Sequence, residues 1–198
     1  MAEYVRPALA SPVFRDGSGA VIAYGDRWPF EEEPPEDAYS VTAHPERFAP
    51  LLTVAEALIA HLTAEFDVVV EEGEEERDGE RVRTVTLTPG AADAAPLSFA
   101  FTGFPSVTVR GGSYFAAAFP HCGCDACDDS VAGLADELEW QVLAVAAGRL
   151  RETMRRGRVT CAVSSPDGDE SSTEYRVARV GAGPPLPPDG WRPWPARA

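Results

Sequence analysis

The stretch that decides the fold is APLLTVAEALIAHLTAEFDVVVEE, residues 49–72, because a helical pattern passes directly into a strand-like run. Apolar residues spaced three and four apart after Pro50 are typical of a helix with one buried face. The DVVVEE that follows is rich in β-branched residues and favours a strand. The predicted buried face of the helix consists of Leu51, Val54, Ala55, Leu58, Ile59, Leu62 and Phe66.

The segments that follow favour an antiparallel sheet. RVRTVTLT (81–88) comes after the charged GEEERDGE (73–80), and this pair predicts a hairpin with a long acidic loop. PLSFAFT (96–102), SVTVRGG (106–112) and YFAAAF (114–119) are short β-rich runs separated by glycine and proline. Successive short strands with tight connections predict antiparallel pairing.

A second helix is predicted over SVAGLADELEWQVLAVAAGRLRETMRRG, residues 130–157. Asp128, Asp129 or Ser130 can cap its start. Arg151, Arg155 and Arg156 would complement the negative end of its dipole. After it, VTCAVSS and TEYRVARV predict another hairpin, and the Pro/Trp-rich end predicts a strap that packs on the core.

We predict one domain over residues 1–198, with an irregular aromatic-rich arm (1–49), an α+β core (50–180) and a Pro/Trp-rich tail (181–198). The predicted class is α+β. An antiparallel sheet of about five to seven strands is packed by two main helices, with irregular N- and C-terminal straps.

Composition excludes some classes of partner. The chain has 17 basic and 32 acidic residues and a net charge of −15, which disfavours nucleic acid and anionic membrane surfaces. No secretory signal is visible at the start, and no window reaches about 18 uninterrupted apolar residues. We therefore expect a cytoplasmic protein that binds neither nucleic acid nor membrane. In a reducing cytosol its four cysteines would remain thiols or bind metal.

The stretch FPHCGCDACDDS, residues 119–130, carries the chemistry of the chain. Cys122, Cys124 and Cys127 have C-x-C-x-x-C spacing, and a turn at Gly123 can bring three thiolates around one ion. Zinc takes four ligands in a tetrahedron, with sulfur at about 2.3 Å. This spacing predicts a zinc-type site with Cys122, Cys124, Cys127 and His121 as ligands. The alternatives for the fourth ligand are Cys161, His44, His61, Asp125, Asp128 and water.

Two other interpretations of the block stay open. The thiols can be inert residues packed in the core, although a buried segment is not expected to contain several aspartates. Cys122 and Cys127, or Cys124 and Cys127, can instead cycle as a thiol/disulfide pair. If zinc binds, a structural role is favoured, because neither H-E-x-x-H nor H-x-E with P-C-x-x-C occurs.

Outside the cysteine block, AHPERF places His44 two positions before Glu46. A histidine beside a carboxylate is a possible acid/base pair, and a turn before the first helix is the alternative.

Five blocks of the sequence resemble a known family. They are YGDRW (24–28), YSVTAHPERFAPL (39–51), PLSFAFTGFP (96–105), FPHCGCDACDD (119–129) and GWRPWP (190–195). In these blocks, which span nearly the whole chain, it resembles the actinobacterial domain-of-unknown-function family numbered 6226. The resemblance implies no activity, cofactor or catalytic residue.

The predicted function is an acidic, cytoplasmic binding module with a structural zinc-type site at Cys122, Cys124 and Cys127. Its partner would be a protein or small molecule. One alternative is an enzyme, either a zinc-dependent hydrolase using His121, or His44 with Glu46, or a thiol oxidoreductase using the three cysteines. The other is an immunity-like protein that neutralises a basic toxin, which would suit the charge.

Overall fold

The computed structural model of the protein describes residues 2–10, 12–28, 32–77, 79–165, 170–176 and 183–198. Two helices and eight strands make up the described fold, which confirms the α+β class. In chain order the elements are 3-10 helices at Glu36–Ser40 and Pro45–Phe48, α1 Pro50–Glu65, β1 Val68–Arg77, β2 Glu80–Pro89, β3 Leu97–Phe101, β4 Val107–Gly111, β5 Phe115–Phe119, α2 Val131–Ala146, β6 Leu150–Arg155, β7 Arg158–Ser164 and β8 Glu170–Arg176.

Helix α1 forms where the periodicity predicts it. Pro50 occupies its first turn, where a missing N–H costs no hydrogen bond, and the backbone turns extended at Phe66. Its buried residues are Leu51, Val54, Ala55, Leu58, Ile59 and Leu62, as predicted, whereas the predicted Phe66 lies past the end of the helix and is half-buried. By length and composition alone, the helical run Pro45–Glu65 would also suffice to cross a membrane. Here its apolar face packs in the core against the sheet and α2.

Strands β1 to β5 form one antiparallel sheet in sequence order, so each strand pairs with the next. The register places Val85 opposite Phe99 and Phe99 opposite Val109, and all three are at most 1% exposed. Because side chains alternate between the two faces of a sheet, this row lies on one face, and it belongs to the same buried core as α1 and α2. The predicted antiparallel sheet and its two packing helices are confirmed.

The predicted long acidic loop between β1 and β2 is wrong, because most of that segment is strand. Pairing is continuous from Val68↔Pro89 to Arg77↔Glu80. Arginines of the sheet compensate two of the glutamates: Arg81 of the neighbouring β2 lies 3.3 Å from Glu74, and Arg110 of β4 lies 2.7 Å from Glu75. Cross-strand pairs of opposite charge stabilise a sheet where β-propensity is low.

The second helix is shorter than predicted. Ser130 caps its start, accepting a hydrogen bond from Gly133 N, but the helix ends at Ala146. Gly148 has φ +72 and donates to Val145 O at 2.9 Å, which closes the last turn. The chain then enters β6, so Arg151 and Arg155 lie on a strand and Arg156 in a turn, away from the helix end.

Strands β6, β7 and β8 form a separate three-stranded antiparallel sheet. The predicted β7–β8 hairpin is confirmed from Arg158↔Arg176 to Ser164↔Glu170, and residues 177–180 of the predicted strand lie outside the described residues. Glu152 of β6 joins this sheet to the first. Its carboxylate accepts hydrogen bonds from the backbone N–H groups of Ser113, Tyr114 and Phe115, at 2.9, 2.6 and 2.8 Å.

Both ends of the chain are tied to the core. Trp191 and Trp194 are buried, and their indole N–H groups donate to Glu152 at 2.7 Å and to Ala95 O at 2.8 Å. Ala2 N donates to the Glu65 carboxylate at 2.6 Å, and Arg197 N donates to Glu65 O at 2.9 Å. The described parts of both predicted straps thus pack on the molecule.

Candidate metal centre

The cysteine block is the connection between β5 and α2. Its turns rest on two left-handed residues, Gly123 with φ +91 and Asp128 with φ 50. A Cβ at Gly123 would meet Phe104 Cζ at 2.9 Å, so a side chain there would be both strained and crowded. These turns fold Cys122, Cys124 and Cys127 back towards one another.

The three thiols converge. All three Sγ atoms lie within 4.8 Å of one another, and those of Cys124 and Cys127 are 3.5 Å apart. A tetrahedral zinc–thiolate site requires sulfur atoms about 3.5 to 4 Å apart. Cys124 is buried, whereas Cys122 and Cys127 are exposed. The arrangement can therefore hold a metal ion at the surface of the molecule, with one ligand anchored beneath it.

The thiols differ in acidity. The pKa of Cys124 is lowered, chiefly because the backbone N–H of Cys127 donates to its sulfur, and the other two thiols add to the effect. The pKa of Cys127 is raised to about 12, first by desolvation and then by its interactions with Cys124 and Cys122. Cys124 is thus more readily deprotonated than Cys127, and thiolate is the form that binds metal and attacks electrophiles.

His121 is turned to another partner. Its Nε2 lies 3.0 Å from Glu137 Oε2 on α2, and its ring packs beside Phe119 with centroids 5.4 Å apart. Within the described residues, the group of ligand atoms at this loop consists of the three cysteines without His121. The assignment of His121 as the fourth ligand stays a prediction.

The other sequence candidates for the fourth ligand also lie elsewhere. Cys161 is buried on β7 with its sulfur 3.5 Å from Glu152. His61 on α1 packs edge-on against Tyr4. His44 Nδ1 lies 3.2 Å from Glu46 Oε1, as the sequence spacing suggests, and its ring packs on Phe14.

Beneath the cysteine loop, two arginines of the arm meet two aspartates of the loop. Asp125 lies 3.4 Å from Arg27 and 3.6 Å from Arg47, and Asp128 lies 3.7 Å from Arg27. Arg47 is 2% exposed, with its guanidinium 4.1 Å from the ring centroid of Tyr24. We call Arg27, Arg47, Asp125 and Asp128 the ionic layer. Close pairing and aromatic contact offset the cost of removing these charges from water.

Backbone hydrogen bonds fix the arm to the same loop. Asp125 N donates to Val41 O at 2.8 Å, and Ala126 N donates to Ala38 O at 3.1 Å. Trp28 Nε1 donates to Asp125 O at 3.1 Å. The loop that carries the thiols therefore also holds the arm at Trp28, Ala38 and Val41.

A groove of about 580 Å³ opens on the arm side of the loop, and His44, Arg27, Trp28 and Asp125 are among its lining residues. The pKa of Glu46, outside the groove, is lowered, first by a backbone N–H bond and then by His44. The thiols are not among the lining residues. The His44–Glu46 pair and the cysteine cluster are therefore two separate features.

Sequence reasoning missed the ionic layer. Its members lie 78 to 101 positions apart across the arm and the loop, so no local periodicity reveals them. A partial signal is present, because YGDRW and HPERF each place an arginine next to an aromatic residue.

The model of a family described as "Family of unknown function (DUF6226)" matches residues 10–198. No curated protein matches the chain, and no solved structure matches it.

Proposed function

Because the chain belongs to the family of unknown function DUF6226, we propose a function from its own geometry: a binding module whose cysteine loop holds a zinc ion. The observation that supports this is the convergence of Cys122, Cys124 and Cys127, with all Sγ atoms within 4.8 Å. Zinc accepts thiolate ligands at distances that fit this spacing.

A structural role is supported by what the loop connects. It lies between β5 and α2 and binds the backbone of the arm at Val41 and Ala38. An ion that fixes the loop would therefore fix three parts of the fold at once. Metal binding to thiols that come together only in the folded chain adds its free energy to folding.

Elemental analysis of protein purified without chelator tests the zinc site. We expect about one zinc per chain. Cys124→Ser should lose the metal. At a metal concentration about 100 times Kd, the lost stabilisation is about 3 kcal/mol, or about 10 °C in Tm for a chain of this size. Cys161→Ala removes a thiol outside the cluster and should keep the zinc. A Cys124→Ser protein that retains the wild-type zinc content would overturn the assignment.

The second candidate is a thiol oxidoreductase, supported by the 3.5 Å between the sulfurs of Cys124 and Cys127. The thiolate of Cys124 would attack a peroxide and take one oxygen as sulfenic acid, releasing water or an alcohol. The Cys127 thiol would then condense with it, forming a disulfide and water.

Thiol titration separates the two candidates. If the chain is an oxidoreductase, peroxide removes two of the four thiols and a reductant restores both. Cys127→Ala should abolish this reversible loss, and Cys161→Ala should leave it intact. Full retention of four free thiols after peroxide would reject the redox function.

We further propose a basic, extended protein segment as the partner, bound along β1. This strand lies at one edge of the five-stranded sheet, and among the described residues its outer side pairs with no strand from Val68 to Arg77. Glu71 and Glu76 are exposed there and make no ion pair within the described chain. A free edge supplies backbone hydrogen bonds and the glutamates supply complementary charge.

Fluorescence anisotropy with an arginine-containing β-strand peptide tests this partner surface. Charge reversal at Glu71 and Glu76 should weaken binding. The control is the same charge reversal at Glu32 and Glu33 on the arm, which gives a double variant with the same net charge as the first. Equal losses in the two double variants would show attraction by net charge alone and would contradict binding at β1.

A further inference from the structure

The described residues supply three donors to the cysteine cluster, whereas zinc takes four ligands. The nearby candidates are engaged elsewhere. His121 Nε2 faces Glu137 at 3.0 Å. Asp125 accepts from Ala43 N at 2.9 Å and faces Arg27, and Asp128 accepts from Arg27 N at 2.7 Å. The carboxylates of Asp125 and Asp128 are thus turned inward, into the ionic layer.

The direction of the missing ligand follows from the burial of the three thiols. Cys124 is 7% exposed and lies against Ala38 and Trp28 on the inner side of the loop. Cys122 and Cys127 are exposed, and so is His121 next to them. An ion bound by one inner and two outer sulfurs has its remaining coordination position on the outer side, towards solvent.

We propose that the metal at Cys122, Cys124 and Cys127 keeps its fourth coordination position open and binds there a neutral nitrogen donor of the imidazole class. This inference rests on the proposed zinc site. Three thiolates around a divalent ion leave a net charge of −1, and Glu137 adds negative charge beside the loop. A neutral donor is therefore preferred over an anion, and imidazole is a donor that suits zinc.

Cobalt(II) is the probe, because its visible spectrum reports the ligands of a tetrahedral site. Metal-free protein loaded with cobalt should show sulfur-to-metal charge transfer, and added imidazole should shift the ligand-field bands saturably. Azide at the same concentrations should shift them far less. His121→Ala should give the same imidazole midpoint as the wild type, and His61→Ala serves as a matched control.

The other outcomes each have a definite meaning. If wild-type cobalt protein ignores imidazole and the His121→Ala protein responds, His121 fills the position and the proposal is overturned. If the spectrum without imidazole changes with protein concentration and a dimer forms, a second copy supplies the donor, which also overturns it. Absence of cobalt binding would reject the metal site itself, and with it the proposed function, separately from the open position.

Discussion

Arg47 of the arm contacts the cysteine loop through several polar groups. Its guanidinium donates to Gly123 O at 3.2 Å and to Ala43 O, and lies 3.6 Å from Asp125. A charge that is 2% exposed is tolerated only when it is paired and hydrogen-bonded. Arg47 therefore connects the arm, the left-handed turn at Gly123 and the loop carboxylate through one side chain.

Arg47→Ala should lower the free energy of unfolding by about 3–5 kcal/mol, because it leaves Asp125 buried with part of its compensating charge removed. Arg83→Ala is the matched control. That side chain is 41% exposed and pairs with Glu56 and Glu72, so its loss should cost less than about 1 kcal/mol. Urea unfolding monitored by circular dichroism measures both. Equal losses would mean that the ionic layer contributes no more than a surface pair.

At the scale of elements, Gly148 decides where α2 ends and where the tail lies. Its left-handed backbone stops the helix. A Cβ at this position would also meet Arg192 C at 2.6 Å, so the tail backbone lies where a side chain would be. One glycine therefore supports both the turn into β6 and the packing of the strap.

Gly148→Ala should destabilise the protein more than Gly157→Ala. Both positions have left-handed φ, +72 and +75, but a Cβ at Gly157 meets nothing within 4 Å. The control substitution should cost about 1–2 kcal/mol of backbone strain. Gly148→Ala should cost about 1–3 kcal/mol more than the control, because the added methyl group would overpack against the tail. Tryptophan fluorescence during denaturant unfolding measures both, and equal midpoints would contradict the tight approach of the tail.

The sequence pattern of a segment predicts its helix or strand correctly when interactions within that segment determine its structure. The spacing of Leu51, Leu58 and Leu62 fixes α1 because one face of the helix is buried. The same spacing misleads at Leu150, which is buried as the helical pattern requires but lies on β6. The correct signal was the glycine two positions earlier. In β1, arginines of β2 and β4 compensate Glu74 and Glu75, and sequence pattern alone does not show these contacts.

At the scale of the whole molecule, Glu152 joins the two sheets and the tail. Its carboxylate accepts from three backbone N–H groups of the β4–β5 turn and from Trp191 Nε1. A carboxylate that receives several N–H donors forms charge-assisted bonds, each stronger than a neutral one. Glu152 thus adds a polar connection between the two sheets to the buried core that they share.

Glu152→Gln should lower the free energy of unfolding by about 3 kcal/mol, since the amide turns an NH₂ group towards N–H donors. Glu174→Gln in the same small sheet is the control. Glu174 is 48% exposed and pairs with Arg158, so its neutralisation should cost less than about 1 kcal/mol. Guanidinium chloride unfolding compares them. A Glu152→Gln protein as stable as the control would show that other contacts hold the sheets together.

The candidate metal site was partly predictable from the sequence. The C-x-C-x-x-C spacing brings three sulfurs together because a short loop with a glycine turn can do so from local geometry alone. The orientation of His121 was not predictable, because Glu137 reaches it from α2, 16 positions along the chain. The direction of such a side chain depends on a partner far along the chain, and no periodicity in the sequence indicates that partner.

The meeting of both chain ends at Glu65 has a topological consequence. Ala2 and Arg197 donate to the carboxylate and the carbonyl of the same residue, so the two ends lie side by side at the end of α1. A short glycine–serine bridge can join neighbouring ends without straining the backbone. The polypeptide can then be closed into a ring and reopened at the β6–β7 turn, Arg156–Gly157. The order of residues along the chain would be permuted while every described strand kept its partners.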